Sequence, residues 1–342
     1  MRSCLKTVLV VGAGFSGATV ARVLADAGHA VKVVDIRTHV AGNAHDLVDT
    51  ETGIMYHKYG PHIFHTSNQK VVDFLSRFTE WTPYAHRVKA ILEDGTYVPF
   101  PPNLETLNTV PKEELIDTFF RPYTKKMWGV DIEELSPEIL ARVPIRQDHD
   151  DRYFPKDTFQ AMPTDGYTCL VKNMLNHRLI NVSLGIDYRD FYTPNLFDHV
   201  FCSAPIDVHF RHVYGELPYR SIKFHNQVVH LPRALPTATV NFTHSAPYTR
   251  VTEWKQFLNY KTDSSKTLLT FEEPCDSKDN NNERYYPVKT ADDRYRKLYQ
   301  AYASLVEPGW TFIGRLGNYA YLDMHQAVSS SLVVARDYLA TL

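Results

Sequence analysis

Long apolar runs, cysteine clusters and charge of one sign are all missing from this 342-residue chain. No uncharged stretch approaches the roughly 20 residues needed to span a bilayer, and no signal-peptide core precedes a small-residue cleavage site. The four cysteines, Cys4, Cys169, Cys202 and Cys275, are far apart and form no CxxC pair, which excludes a disulfide framework or a thiolate zinc site. A reducing compartment and a cytoplasmic location are expected. Lys and Arg total 37 against 39 Asp and Glu, a net charge of −2, so neither a nucleic-acid coat nor an anionic-membrane binder is expected. Low-complexity tracts and internal repeats are also lacking. Against these absences stand 44% hydrophobic residues, enough for a large core, and 21 Tyr with 18 Phe, enough to line surfaces with rings.

The N-terminus carries the first chemical signal. Thr7–Val11 (TVLVV) reads as a strand buried on both faces, followed by Gly12-Ala13-Gly14-Phe15-Ser16-Gly17, an apolar helical pattern, and a second strand from Val31 to Ile36. Gly12 permits a tight turn, Gly14 lets a pyrophosphate approach the backbone, and Gly17 lets helix pack on strand. Phe15 and Ser16 open the helix whose N–H groups face the phosphates. Asp35 lies about 18 residues past Gly17, close to the spacing at which an acid meets an adenosine ribose. Ile36 and Arg37 continue that edge. The competing interpretation is an ordinary βαβ unit. A second loop at Ala41-Gly42-Asn43 returns toward the cofactor, and a late strand at 311–314, then Arg315, then Asp323-Met324 opening an apolar helix, closes the fold as in flavoproteins. The cofactor expected is therefore FAD.

Elsewhere the pattern predicts a hairpin over 89–100 turning at Asp94-Gly95, helices over 112–127, 137–142 and 291–305, a strand near 197–203, and an antiparallel sheet over 220–271. The fold class expected is α/β: a Rossmann-like FAD-binding domain with an inserted small helical domain and an antiparallel β-sheet domain. The FAD domain is assigned to 1–80, 168–215 and 305–342. The helical domain, with a mobile substrate loop, takes 101–150, and the sheet domain takes 81–100, 151–167 and 216–304.

The most distinctive stretch is His57-Lys58-Tyr59-Gly60-Pro61-His62-Ile63-Phe64-His65-Thr66. It has no carboxylate or cysteine at metal-ligand spacing, so a cofactor-facing loop is expected and no metal. Four further segments mix arginine with tyrosine: 121–129, 142–146, 247–250 and 285–288. Arginine's planar fork fits phosphate and tyrosine adds a donor and a stacking face, although each segment alone could be a surface ion pair or a half-buried ring.

Taken in order, HKYGPHIFHT, YTKKMWG, PYTR, YYPV and GRLGNYAYLDMH resemble the motifs of the bacterial-type UDP-galactopyranose mutases, across essentially the whole chain. The resemblance implies a flavin-dependent isomerase that interconverts pyranose and furanose forms of a nucleotide-linked galactose without net redox, through a bond between N5 of reduced FAD and the sugar C1. It implies Arg146 and Arg250 as the diphosphate clamp, Arg146 on a mobile loop, and Tyr123, Tyr286 and Tyr321 as phosphate donors. Trp128, Asn241, Phe159 and Tyr285 are implied at the substrate. Tyr59, Gly60, His62, His65, Arg315, Asp323 and Met324 are implied at the flavin, with Gly42 and Asn43. A UDP-sugar substrate and an external reductant, such as NAD(P)H or a reduced-flavin donor, are implied as partners, with a homodimer left open. Two departures stand out. Ala41 replaces a usual glycine, and only about twenty residues separate Phe100-Pro101 from Tyr123 where the family carries a longer helical region. A mutase for an N-acetylated or deoxy sugar nucleotide therefore stays open. So do a flavin amine oxidase or desaturase, a non-catalytic binding protein on this fold, and a simple NAD-dependent dehydrogenase.

Overall fold

The computed structural model describes residues 5–134, 145–257 and 265–342. Five parallel strands form the first sheet, in the order Ile180–Leu184, Ala30–Asp35, Thr7–Val11, His199–Cys202, Trp310–Phe312. Side chains alternate across a strand, so the TVLVV run serves two cores at once. Val8 and Val10 face the helices Phe15–Asp26, Gly166–Leu175 and Met324–Ala340, while Leu9 and Val11 face a layer containing Tyr188, Ile206 and Tyr302. The last strand and last helix close the N-terminal unit, as the late segment in the sequence predicts.

A seven-stranded sheet forms the second wall, in the order Tyr286–Pro287, Tyr219–Val229, Thr267–Asp276, Arg250–Glu253, Thr239–Phe242, Val88–Ile91, Tyr97–Phe100. The expectation of a purely antiparallel sheet needs one correction. Thr239–Phe242 pairs parallel with Val88–Ile91, because the early hairpin joins the edge of a sheet built from later chain. That hairpin turns where predicted, with Gly95 at φ +87 and the Asp94 carboxylate accepting from the Thr96 N–H at 2.8 Å.

Residues 101–134 form short turns of helix, Leu104–Thr109, Lys112–Glu114, Ile116–Phe120 and Arg121–Trp128. Their apolar residues Val110, Leu115 and Phe119 share one core with Val88, Ala90, Val98 and Phe100 of the hairpin. The region expected as a small helical domain thus lies directly on the sheet. The helix expected over 137–142 falls outside the described residues. Because Leu115 is fully buried in that shared core, Leu115→Ala should cost about 3 kcal/mol, read as a lower denaturation midpoint at unchanged slope.

Candidate active site

The glycine loop is held in the shape a dinucleotide requires. Gly12 sits at φ +103, where a Cβ would meet the Ser203 Oγ at 1.9 Å, and a Cβ on Gly17 would lie 1.9 Å from the Gly12 carbonyl oxygen. Gly14 starts the helix Phe15–Asp26, no side chain caps it, and its Cα side faces Gly42. Phe15 and Ser16 are buried in the first turn. These N–H groups form an anion-binding helix end. Asp35 accepts from the Ala13 N–H at 2.7 Å and the Arg37 N–H at 2.8 Å. An ionised carboxylate has about four acceptor positions, so Asp35 shapes the loop and keeps capacity for a ribose. Ile36 beside it is 67% exposed.

Arg37 links two segments beside the glycine loop. Its guanidinium donates to Asn43 Oδ1 at 2.8 Å and Glu283 Oε2 at 2.6 Å, and lies over the Tyr59 ring at 4.5 Å. It ties the loop around Gly42 to the segment bearing Tyr285 and Tyr286. Ala41, at the glycine position of the resemblance, is buried with φ +73, a left-handed conformation that costs an alanine on the order of 1 kcal/mol.

One cavity collects most of the remaining expected residues. Tyr59, His62 and His65 line one side, Asn241 and Arg250 another, and Tyr285, Tyr286, Arg315, Tyr321, Asp323 and Met324 the rest. The sheet explains part of this convergence. Asn241, Arg250 and Glu272 are direct cross-strand partners in one row, which puts all three on the same face. Arg250 Nε lies 2.7 Å from Glu272 Oε1, whose side chain is 1% exposed. Burial opposes the charge on Arg250, but Glu272 outweighs it and holds the guanidinium pKa above its ordinary value. Tyr286 and Tyr321 stack at 4.9 Å and 11°, with Arg315 over both rings at 5.4 and 5.6 Å. Arg315 also donates to the Leu322 carbonyl at 2.6 Å and the Tyr285 carbonyl at 3.3 Å, so it braces this aromatic wall. Gly60 has φ +83, and a Cβ there would press on Phe224 at 2.8 Å.

His62 Nδ1 lies 2.7 Å from the Gly60 carbonyl oxygen. A carbonyl can only accept, so Nδ1 carries the proton. Burial, followed by neighbouring His57, Arg315 and Arg250, holds the ring well below the usual imidazole pKa. In the neutral ring Nε2 is then an acceptor.

Four expected residues lie off the cavity wall. Phe159 is half-buried and packs on Trp81 at 5.3 Å and Phe64 at 6.1 Å against the edge of the core. From that stretch of chain the wall takes Tyr153 and Phe154. They follow Arg152, the same arginine–aromatic signal that marked other segments. Trp128 is buried with Met127 and Ile222, its ring 6.4 Å from Tyr286, so it stands behind the wall. Tyr123 is exposed and interacts electrostatically with Arg250. Arg146 is 8% exposed, and one of its nitrogens donates to the Arg152 carbonyl at 2.7 Å beside Tyr153. Its Nε and Nη2 are buried without a hydrogen-bond partner. A buried guanidinium in that state calls for an anion. The segment carrying Arg146 is bonded to the chain after the hairpin: the Arg146 N–H donates to the Pro102 carbonyl at 2.8 Å, and the Leu104 N–H donates to the Asp148 carbonyl at 2.9 Å.

His86 and Glu272 also line the cavity and gave no motif signal. His65 Nδ1 lies 2.6 Å from Asp157 Oδ2, and its ring stacks on Phe154 at 3.5 Å. Ligand-capable atoms of His65, Asp323 and His325 come within 4.8 Å of one another, a grouping the sequence spacing did not suggest. Asp323 is also engaged in capping the helix Met324–Ala340.

The family model described as UDP-galactopyranose mutase matches residues 118–321, and one described as an NAD(P)-binding Rossmann-like domain matches residues 10–78. A probable UDP-galactopyranose mutase of Klebsiella pneumoniae is 35% identical, with 98% of this chain and 95% of the relative covered. The chain belongs to the UDP-galactopyranose mutase family, a family of isomerases. A dTDP-fucopyranose mutase of Escherichia coli is 34% identical over 98% of this chain and 99% of its own length. These alignments run to 376 and 379 positions, longer than this chain of 342, so each relative has insertions where this member is shorter. The crystal structure of a reduced UDP-galactopyranose mutase superposes with a TM-score of 0.80 at 16% identity, covering 99% of this chain and 95% of that one. At that identity the likeness shows a shared fold. Among the described residues no helix is long and apolar enough to cross a membrane.

The buried histidines set an acid limit. Burial lowers His57 and His86 to about 3 and His45 to about 4. An unfolded histidine titrates near 6.5, so below that pH the unfolded chain binds more protons and stability falls, by up to about 1.4 kcal/mol per group per pH unit. The melting temperature should be flat above about pH 7 and drop steeply from pH 6.5 toward 5, with a shallower drop in His86→Gln.

Proposed function

We propose that this family member interconverts the pyranose and furanose forms of a nucleoside-diphosphate hexose, UDP-galactose being the first candidate, with reduced FAD bound along the glycine loop. The observation that carries this reading is a pair of arginines, half-buried Arg250 in the cavity and buried Arg146 with two unpartnered nitrogens. A diphosphate would supply the anionic oxygens that Arg146 lacks and a second partner for Arg250 beside Glu272, and bidentate geometry fixes its position. The residues present also fit a dinucleotide, with an uncapped helix end, a glycine-lined approach at Gly14 and Gly42, and acceptor capacity on Asp35. Reduced FAD, when bound, supplies the nucleophile for the sugar's anomeric carbon.

The protein's own part is to hold the departing nucleotide and orient the sugar. Arg146 and Arg250 stabilise charge on the leaving diphosphate and retain it for recapture. Tyr123, Tyr286 and Tyr321 offer phenolic donors, and burial keeps the neighbouring Tyr285 phenol protonated by raising its pKa. The His62 Nε2 acceptor can take a hydrogen bond from a sugar hydroxyl. Asn241, in register with Arg250, presents an amide to the same space. Tyr153 and Phe154 supply ring faces for a base.

A related nucleotide sugar is the second reading, favoured by near-equal identity to the UDP-galactopyranose and dTDP-fucopyranose enzymes. Incubating dithionite-reduced, FAD-loaded protein with UDP-galactose, UDP-N-acetylgalactosamine and dTDP-fucose, then separating ring isomers, decides among them. Turnover of one of these is expected only after reduction. Full turnover by oxidised enzyme in air, or no isomerisation of any of them, contradicts the proposal. Arg146→Ala and Arg250→Ala should each lose on the order of a hundredfold or more in kcat.

A further inference from the structure

The YTKKMWG helix does more than carry Tyr123. The Lys126 ammonium donates to three backbone carbonyls of one loop: Phe242 at 3.0 Å, His244 at 2.8 Å and Tyr248 at 3.1 Å. An ammonium has three donors and no acceptor, so the set is complete. The loop begins one residue after Asn241 and ends two before Arg250. Three carbonyl dipoles pointing at one place repel unless a cation sits between them. The same C-terminal turn of the helix is also held by Arg220, whose Nε donates to the Met127 carbonyl at 2.7 Å, while Arg220 pairs across the sheet with Tyr286. The neighbouring Lys125 differs: it pairs with Asp131 at 3.1 Å, its side chain 61% exposed.

We infer that Lys126 is a positioning residue for the isomerase reaction, a clasp that fixes the helix bearing Tyr123 against the loop joining Asn241 to Arg250. It touches no substrate. By holding the 242–248 loop in one conformation it sets the distance between the phenol on one element and the guanidinium on another, both assigned above to the diphosphate. The inference rests on the proposed function for what the two groups bind, and on the geometry alone for the clasp itself.

The test compares Lys126→Met, which keeps the stem and removes all three donors, with Lys126→Arg and with Lys125→Met as a control. FAD content, melting temperature, UDP affinity and steady-state kinetics are measured on the reduced holoenzyme. Lys126→Met should retain FAD while UDP affinity and kcat/KM each fall at least tenfold, Lys126→Arg should recover part of both, and Lys125→Met should match the parent. Amide exchange over 242–249 should speed up in Lys126→Met. Parent-like kinetics, affinity and exchange in Lys126→Met overturn the inference. If Lys126→Met loses FAD, Lys126→Arg decides: a severalfold loss in affinity and kcat/KM with FAD retained supports the clasp, and parent-like values overturn it. If the parent enzyme turns over no nucleotide sugar, the functional reading fails, and exchange over 242–249 still judges the clasp.

Discussion

Buried positive charge without full compensation is the constraint on which this molecule turns. Arg250 is neutralised by Glu272 in its own cross-strand row, so it can be buried without a ligand. Arg146 has only a backbone carbonyl for one nitrogen, and two more of its nitrogens are closed off from partners. Leaving such groups unmet costs stability, and under the proposed function a bound diphosphate would complete the set. On that reading the two arginines play unequal parts, Arg250 already paired with Glu272 and Arg146 completed by the ligand.

The fold brings these groups together by linking two sheets. The parallel sheet ends in a glycine loop shaped by Asp35, and the mixed sheet presents Asn241, Arg250 and Glu272 on one face. Between them run side-chain braces: Arg37 to Glu283, Arg315 under Tyr285 and Leu322, and buried Asp207 to Arg284 at 2.8 Å. Three consecutive positions, 283–285, are thus held by three different elements, which leaves Tyr286 and its stacked partner Tyr321 little freedom. The Arg146 segment joins the same framework, bonded to residues 102–104 just after the hairpin.

Local signals were legible in the sequence, and long-range ones only in part. TVLVV followed by GAGFSG dictated strand, turn and helix, because Gly12 and Gly17 sit where any side chain collides. The Asp94-Gly95 turn was equally readable. The parallel pairing of Thr239–Phe242 with Val88–Ile91 was not, since alternation along a strand says nothing about which strand lies next to it. Phe159 and Phe154 illustrate the same limit in the site: only packing shows that the first lies half-buried against Trp81 and Phe64 and the second lines the cavity. Glu272 had no motif around it, and its role comes wholly from register with Arg250. The bonds of Arg37 to Asn43 and Glu283 had no local signal either, since they join segments far apart in the chain.

The most direct test of reserved cationic charge is the change in melting temperature of the FAD-loaded protein on adding UDP, compared with uridine at the same concentration. A ligand that completes the arginine set binds the folded state alone and stabilises it by mass action. A clear rise with UDP and little or none with uridine is the predicted result. Equal shifts with both, or none with UDP, would contradict the account.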